Sequence, residues 1–221
     1  MFNKDEWLSR YFKSGAYSYS ISSDNNSEAL EDGFAYTKIP IENQADINRL
    51  IKGGFNLVEI LVNFEQKTPV KSVDNHEITV GFVRKEEQAE VLEIAQNAFL
   101  ASRLYQDSHI SHATASQIKK DWVANYFLGQ RGDHLIVARV GDKVVGFLLL
   151  VNQITIDLIA VSPNYHRRGM ASAMIGLAND TVGLLKAGTQ LNNLASITMY
   201  QKNGFFLKQA YCVLHKFFGT I

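Results

Sequence analysis

One cysteine, Cys212, stands among 221 residues, so the chain closes no internal disulfide, builds no cysteine-based structural zinc site and suits a reducing compartment. Prolines number three. Excess charge of either sign is missing, because 22 Lys and Arg meet 22 Asp and Glu, and no global field exists to gather nucleic acid or an anionic membrane. An anionic ligand must therefore be caught by a local device. A long apolar run is missing too: the longest, around Val144 to Val151, is far too short to span a bilayer, and the opening MFNKDEWLSRYF carries charge where a signal peptide needs apolar residues. Six histidines show neither His-x-Glu nor His-x-x-x-His spacing, which argues against a bound metal. The expectation is a soluble, cytoplasmic chain with neither a nucleic-acid nor a membrane partner.

What is present is ordinary globular material. Hydrophobic residues make up 46% and charged residues 20%, which excludes disorder, collagen-like repeats and coiled coil as overall descriptions. At about 150 residues per domain the length corresponds to one and a half domains.

Residues Ser18 to Asp32 are polar and read as a turn-rich surface connection. Phe34 to Pro40 alternates like a half-buried strand, Asn43 to Gly53 has helical spacing through Ile47, Leu50 and Ile51, and Phe55 to Phe64 returns to strand. Glu65 to His76 has no period and reads as a linker. Beyond it the pattern predicts a strand over Ile78 to Val83, helices from about Glu86 to Ser102 and Ala115 to Leu128, and strands over Leu135 to Val140, Val144 to Val151 and Ile154 to Val161. A short helix from Gly169 to about Asn179, a strand Val182 to Gln190, a helix Leu194 to Lys202 and a strand Phe205 to Phe218 complete an α/β chain with a mixed sheet. The long last strand raises the prospect of self-association, as a homodimer, through an exposed edge.

Two stretches echo each other. Ile47-Asn-Arg-Leu-Ile-Lys-Gly-Gly-Phe55 and Ile197-Thr-Met-Tyr-Gln-Lys-Asn-Gly-Phe205 share Ile, Lys, Gly and Phe at identical spacing, each ending a helix and opening a strand. Gly after a helix with an apolar residue behind it is a common stop signal, so coincidence is one account. A truncated second copy of the same helix-strand unit is the other.

The chemically informative stretch is Ile154 to Met174, ITIDLIAVSPNYHRRGMASAM. An alternating strand runs through Ser-Pro into the basic loop His166-Arg167-Arg168-Gly169, then into a helix opening with the small residues Ala171, Ser172 and Ala173. A helix N-terminus offers unpaired backbone N–H groups, Gly lets a phosphate approach the backbone, and arginine adds charge-assisted contacts. That combination describes an anion site, against the alternative of an ordinary basic turn.

The string V-S-P-N-Y-H-R-R-G-M-A resembles the acetyl-CoA pyrophosphate loop of the Gcn5-related N-acetyltransferase (GNAT) superfamily, with Gly169 and Ala171 matching and His166 departing from the Gln or Arg of the signature. Asn193-Leu-Ala-Ser196-Ile-Thr-Met-Tyr200-Gln-Lys202-Asn-Gly204-Phe205 is similar to a second block of that superfamily. The resemblance implies a GNAT acyl-CoA N-acyltransferase fold from residue 71 to 221, preceded over residues 1–70 by a small, truncated GNAT-like α/β domain. It implies acetyl-CoA as cosubstrate, held by His166, Arg167, Arg168, Gly169, Met170, Ala171 and Ser172 at its pyrophosphate, by Ile159, Ala160 and Val161 at its acetyl end, and by Asn193. Tyr200 matches the usual general acid, a phenol that stays neutral at pH 7; a packed aromatic and, for Asn193, a plain turn residue are the bland alternatives. Leu50 occupies the position of Tyr200 in the N-terminal echo, and no basic Gly loop precedes it.

Ala98-Phe-Leu-Ala-Ser102-Arg103-Leu-Tyr105, with Asp121-Trp122, looks like the branch of the superfamily containing the dTDP-fucosamine acetyltransferases, which act on the 4-amino group of a nucleotide-linked dideoxyhexose in surface-polysaccharide biosynthesis. Ser102, Arg103 and Tyr105 then become acceptor contacts, although a cation at a helix end is equally ordinary. Asp157 is the candidate general base, or else a solvated strand residue. His109 and His112 fall where acceptor contacts are expected, and Cys212 reads as strand filler rather than as an acyl-cysteine nucleophile. Two further readings stay open: transfer to a polyamine, antibiotic amine or protein N-terminus, and a non-catalytic acyl-CoA sensor.

Overall fold

The computed structural model describes residues 1–21, 32–71 and 77–219. Most of the polar connection and the end of the linker (72–76) lie outside them. The chain begins with β1 (Phe2–Lys4), β2 (Ala16–Tyr19), β3 (Gly33–Pro40), α1 (Gln44–Lys52) and β4 (Asn56–Gln66). It continues with β5 (Thr79–Phe82), α2 (Gln88–Ala98), α3 (Arg103–Gln106), α4 (His112–Phe127), and β6 (His134–Val140), β7 (Lys143–Val151) and β8 (Thr155–Val161). The last elements are α5 (Met170–Val182), β9 (Lys186–Gln190), α6 (Leu194–Lys202) and β10 (Phe205–Phe218).

Several predicted boundaries move, two of them by four residues. The helix expected over Glu86 to Ser102 stops at Ala98, where Phe99 leaves helical geometry (φ −101°, ψ 46°) and lays its ring against Phe147. The strand expected from Val182 begins at Lys186, because α5 runs on through Val182 until Gly183 ends it in a conformation glycine favours.

All ten strands join one mixed sheet in the order β1-β2-β3-β10-β4-β9-β8-β7-β6-β5. The last strand is therefore no edge: β10 pairs antiparallel with β3 on one side and with β4 on the other, and the argument for self-association through it falls away. Strand β4 from the N-terminal half lies between β9 and β10 of the C-terminal half, while β10 lies between β3 and β4. Each half has given its last strand to the other.

The exchange follows a local pseudo-twofold axis. Leu61 of β4 faces Tyr211 of β10, and these are the positions that the 150-residue echo makes equivalent. Leu61 also faces Gln190 while Tyr211 faces Pro40, again an equivalent pair. The two register breaks between β4 and β10 fall at Val58 and at Lys208, equivalent once more. Asn43 and Asn193 cap α1 and α6 with matching backbone (φ −86°, ψ 65° and φ −87°, ψ 67°), each side chain accepting from the N–H three residues on. Gly54 (φ 86°) and Gly204 (φ 78°) end these helices in the left-handed region that glycine reaches without strain.

Packing repeats the symmetry. Helix α6 packs Tyr200 and Phe205 with Val62 and Phe64, and α1 packs Leu50 and Phe55 with Cys212 and Leu214. Cys212, the counterpart of Val62, is thus a core residue, and burial raises its thiol pKa. The helix pair α2 and α4 covers the opposite face of the C-terminal half, against Leu135, Val137, Phe147, Leu149 and Leu158. A buried amide network fastens β4 in place: Gln66 Nε2 donates to Asn179 Oδ1 (3.1 Å) and to Asn203 O (2.9 Å), and Asn179 Nδ2 donates to Gln66 Oε1 (2.6 Å).

Candidate active site

Strands β8 and β9 run parallel and pair only at Thr155 with Lys186 and Ile156 with Ala187. From Asp157 onward β8 has no partner on that side, so the sheet opens. Ser162 N–H donates to Val145 O at 2.8 Å; by the two-residue alternation of a strand, Ala160 faces the same way and the N–H groups of Ile159 and Val161 face the opening.

The opening leads into a cavity of about 1600 Å³. Pockets for one drug-sized ligand span about 300–1,000 Å³, so this one has room for a large cosubstrate together with an acceptor. Its lining unites most of the residues singled out above: Asp157 and Ile159 to Val161 of β8, His166, Arg167, Gly169, Met170, Ala171 and Ser172 of the loop and α5, Asn193 and Tyr200 of α6 and its cap, and Ser102 and Arg103.

The basic loop has the geometry of an anion cradle. Gly169 caps α5 at φ 87° and a Cβ there would meet nothing within 4 Å, so the space over the first N–H groups of the helix is open. Arg167 is itself in the left-handed region (φ 63°), a conformation non-glycine residues adopt at some cost. His166 Nε2 pairs with Val161 O at 2.8 Å, fastening the loop to the end of β8, and the Arg168 guanidinium lies over the Tyr165 ring at 5.4 Å. Met170 turns into the core. These residues fit a phosphate-bearing cosubstrate.

Tyr200 is 3% exposed, its ring stacked on Phe64 at 5.7 Å and tilted against Phe205 at 5.1 Å. Burial holds its phenol pKa well above the ordinary value, so the group stays protonated throughout the neutral range.

Asp157 is differently placed from the expectation of a free base. Arg131 binds both its oxygens, each at 2.8 Å, and Trp122 Nε1 donates to Oδ2 at 2.9 Å. The carboxylate is thus held by three donors and fixes Trp122 on the cavity wall. Tyr105 does not reach the cavity: its hydroxyl bonds Ser116 and its ring packs on His112. His109 pairs with Asp107 at 3.0 Å. Arg103 is tied down rather than free, with Nη1 bonded to His215 Nε2 (2.8 Å) and its guanidinium over the Tyr36 ring (4.4 Å).

Behind Arg103 lies a buried pair, His215 Nδ1 to Asp107 Oδ2 at 2.7 Å. Nε2 accepts from the cation, so Nδ1 carries the proton and the ring is neutral; burial pushes the His215 pKa down to about 4. Asp107 is held below the ordinary carboxylate value: burial raises it, but hydrogen bonds from His215 and His109 outweigh that.

Several lining residues had drawn no attention in the sequence. Lys119 of α4 faces the Trp122 ring at 4.7 Å and the Phe99 ring at 5.2 Å, and burial pushes its pKa down to about 8. Glu59 of β4, Lys38 of β3, and Gln209 and Tyr211 of β10 complete that wall. A glutamate inside the alternating string FNLVEILVNF was the available signal, but nothing local says that its strand will sit beside β9.

The family model for the acetyltransferase (GNAT) family matches residues 91–205. The spore coat polysaccharide biosynthesis protein SpsD of Bacillus subtilis (strain 168) is 30% identical over 133 residues, which are 57% of this chain and 46% of that protein. The chain thus matches just under half of that relative's length. A GCN5-related N-acetyltransferase from Sphaerobacter thermophilus superimposes with a TM-score of 0.58 at 15% identity, covering 88% of this chain and 63% of that one. A tandem GNAT protein from the clavulanic acid biosynthesis pathway gives 0.54 at 9% identity, covering 85% and 65%. At these identities the solved structures speak for the fold.

Proposed function

The chain belongs to the acetyltransferase (GNAT) family, and on that premise we propose that it moves the acetyl group of acetyl-CoA onto the amine of a nucleotide-linked 4-amino-dideoxy sugar, in surface-polysaccharide biosynthesis. The observation that carries this reading is one cavity joining the Gly169 cradle, the open edge of β8 and Tyr200. The spore coat polysaccharide biosynthesis role of the 30% identical relative supports the sugar.

In this reading the loop N–H groups and Arg167 hold the pyrophosphate at the N-terminus of α5, and Asn193 caps α6 beside the pantetheine arm. The acetyl oxygen lies in the β8–β9 opening, where the N–H groups of Ile159 and Val161 stabilise the charge that develops on it. Direct attack by the amine forms the C–N bond as the C–S bond breaks, and Tyr200 supplies hydrogen-bonding and a proton to the departing sulfur. Residues 71–221 form the catalytic unit and residues 1–70 a truncated accessory copy, with Leu50 in place of the tyrosine. Ser102 and Arg103 contribute to the acceptor wall, with Arg103 acting on charge rather than as a mobile clamp. We place the enzyme in the cytoplasm, where Cys212 stays reduced.

The test is incubation with acetyl-CoA and a dTDP-4-amino-4,6-dideoxyhexose, following release of free CoA thiol and the acetylated sugar nucleotide. Turnover is expected with the 4-amino sugar; no turnover with any 4-amino sugar nucleotide sinks the substrate assignment.

A further inference from the structure

Glu59 Oε2 and Ser102 Oγ are buried side-chain atoms that have no hydrogen-bond partner among the described residues, and both residues line the same cavity wall. Buried polar atoms are nearly always satisfied, so two orphans on one wall call for an explanation. The groups around Glu59 are cationic or neutral: the charges of Arg103 of α3 and Lys119 of α4 act on it, the Arg103 backbone N–H donates to its carboxyl group, and Lys38 of β3 with Gln209 and Tyr211 of β10 line the cavity alongside it. Lys119 feels the charges of both Glu59 and Asp157, and both carboxylates line the cavity. Both Asp157 oxygens already have partners in Arg131 and Trp122. Glu59 alone of the two keeps a free oxygen.

We infer that Glu59, carried into the cavity on the strand given by the N-terminal half, is the general base that takes the proton of the acceptor's ammonium group. This rests on the acetyl-transfer reading above and adds a residue to it. The Glu59 carboxylate removes one N–H proton, giving a carboxylic acid and a free amine. The amine lone pair forms the C–N bond while the C–S bond breaks, the second N–H proton ends on the CoA sulfur by way of Tyr200, and Glu59 returns its proton to water. One ammonium and one thioester thus give one amide, one thiol and one released proton. Burial raises the Glu59 pKa from the ordinary glutamate value, with Arg103 and Lys119 opposing the rise, which moves it toward the range where a base works at neutral pH. The accessory copy, without a tyrosine or a cradle of its own, would then be a contributor to catalysis.

The test compares wild type, Glu59→Gln and Glu59→Asp in steady-state acetyl transfer to the dTDP-4-amino sugar from pH 5.5 to 9.5, with glucosamine and spermidine as further acceptors, and with thermal midpoints for each protein. Removal of a general base is expected to lower kcat about 10²-fold or more and to leave the KM for acetyl-CoA within about twofold. The bend that ends the wild-type acid limb should vanish in Glu59→Gln, whose rate instead climbs about tenfold per pH unit across the range as free amine accumulates in solution. Glu59→Asp should recover part of the rate and keep the limb. A Glu59→Gln rate within threefold of wild type, or a reduced rate with the acid limb unchanged, overturns the assignment while the acetyltransferase reading stands. A wild type active only toward glucosamine or spermidine removes the sugar nucleotide and leaves the same comparison to be read with that amine. A wild type silent toward every amine overturns both.

Discussion

The segment β3-α1-β4 and the segment β9-α6-β10 are the same construction twice, related through the Leu61–Tyr211 pair. They share helix caps, left-handed glycines, register breaks and a core in which Leu50 and Cys212 stand where Tyr200 and Val62 stand in the other. What separates them is the surroundings. The C-terminal segment meets the open edge of β8 and the Gly169 cradle; the N-terminal one meets the short strand β2. The difference teaches that this backbone unit is a frame, and that activity depends on what the neighbouring strands and a few substituents place against it.

The largest contrast should come from the helix pair itself. Tyr200→Phe is expected to lower kcat about 10³-fold with acetyl-CoA affinity preserved, a general-acid effect, whereas Leu50→Tyr in the same protein restores nothing. A fall of less than tenfold for Tyr200→Phe, read by CoA thiol release, would make the tyrosine a packing residue like its counterpart.

A second contrast lies at His215, whose counterpart in the repeat, Glu65, is half-exposed and paired with Lys186 and Lys208. His215 is buried neutral with a pKa of about 4, against 6.5 when unfolded. Below 6.5 the unfolded chain takes up a proton that the folded chain refuses, so stability is fully present above pH 6.5 and declines as pH falls toward 4. Asp107, held below the ordinary carboxylate value, pushes in the same direction at lower pH. Urea titrations across this window should show a loss of up to about 3 kcal/mol; a flat profile between 6.5 and 4 contradicts the neutral buried pair.

The two helix-ending glycines differ in their neighbours. A Cβ on Gly204 would approach Thr68 O at 2.9 Å, while one on Gly54 meets only the flexible Lys216 side chain at 3.5 Å. Both pay the left-handed penalty, so Gly54→Ala should cost about 1–2 kcal/mol and Gly204→Ala about 2–3 kcal/mol with the added clash, measured by denaturant unfolding. Equal costs would mean that the Thr68 loop yields freely.

The smallest effect is at the matched caps. Asn43→Ala and Asn193→Ala should each cost about 1 kcal/mol of stability, but only Asn193→Ala should also raise the KM for acetyl-CoA, since Asn193 lines the cavity. If both leave that KM unchanged, Asn193 is a cap and nothing more.

Much of the frame was legible. Alternating apolar residues mark most strands, the Gly169 loop between β8 and α5 announces its anion chemistry through residue types alone, and the Ile47–Phe55 echo with Ile197–Phe205 names the two halves. The differences from the structure share one cause. The pairing of β10 on both sides, the partners of Asp157 and the packing of Tyr105 all depend on which distant segment lies alongside: β3 and β4 for the strand, Arg131 for the carboxylate, Ser116 for the phenol. Glu59 was passed over for the same reason.

What the amino-acid sequence determined by itself is local: element types, helix caps, the glycines that need positive φ, the basic Gly169 loop and the Tyr200 block, because each depends on backbone preferences and side chains within a few residues. Only the tertiary structure decided that the halves trade their last strands, that Asp157 is locked while Glu59 keeps an unpartnered oxygen, and that His215 stays neutral. Those outcomes are set by burial and by groups brought together from far apart in the chain, 26 residues for Arg131 and Asp157 and more than a hundred for His215 with Asp107 and Arg103, and no local pattern records them.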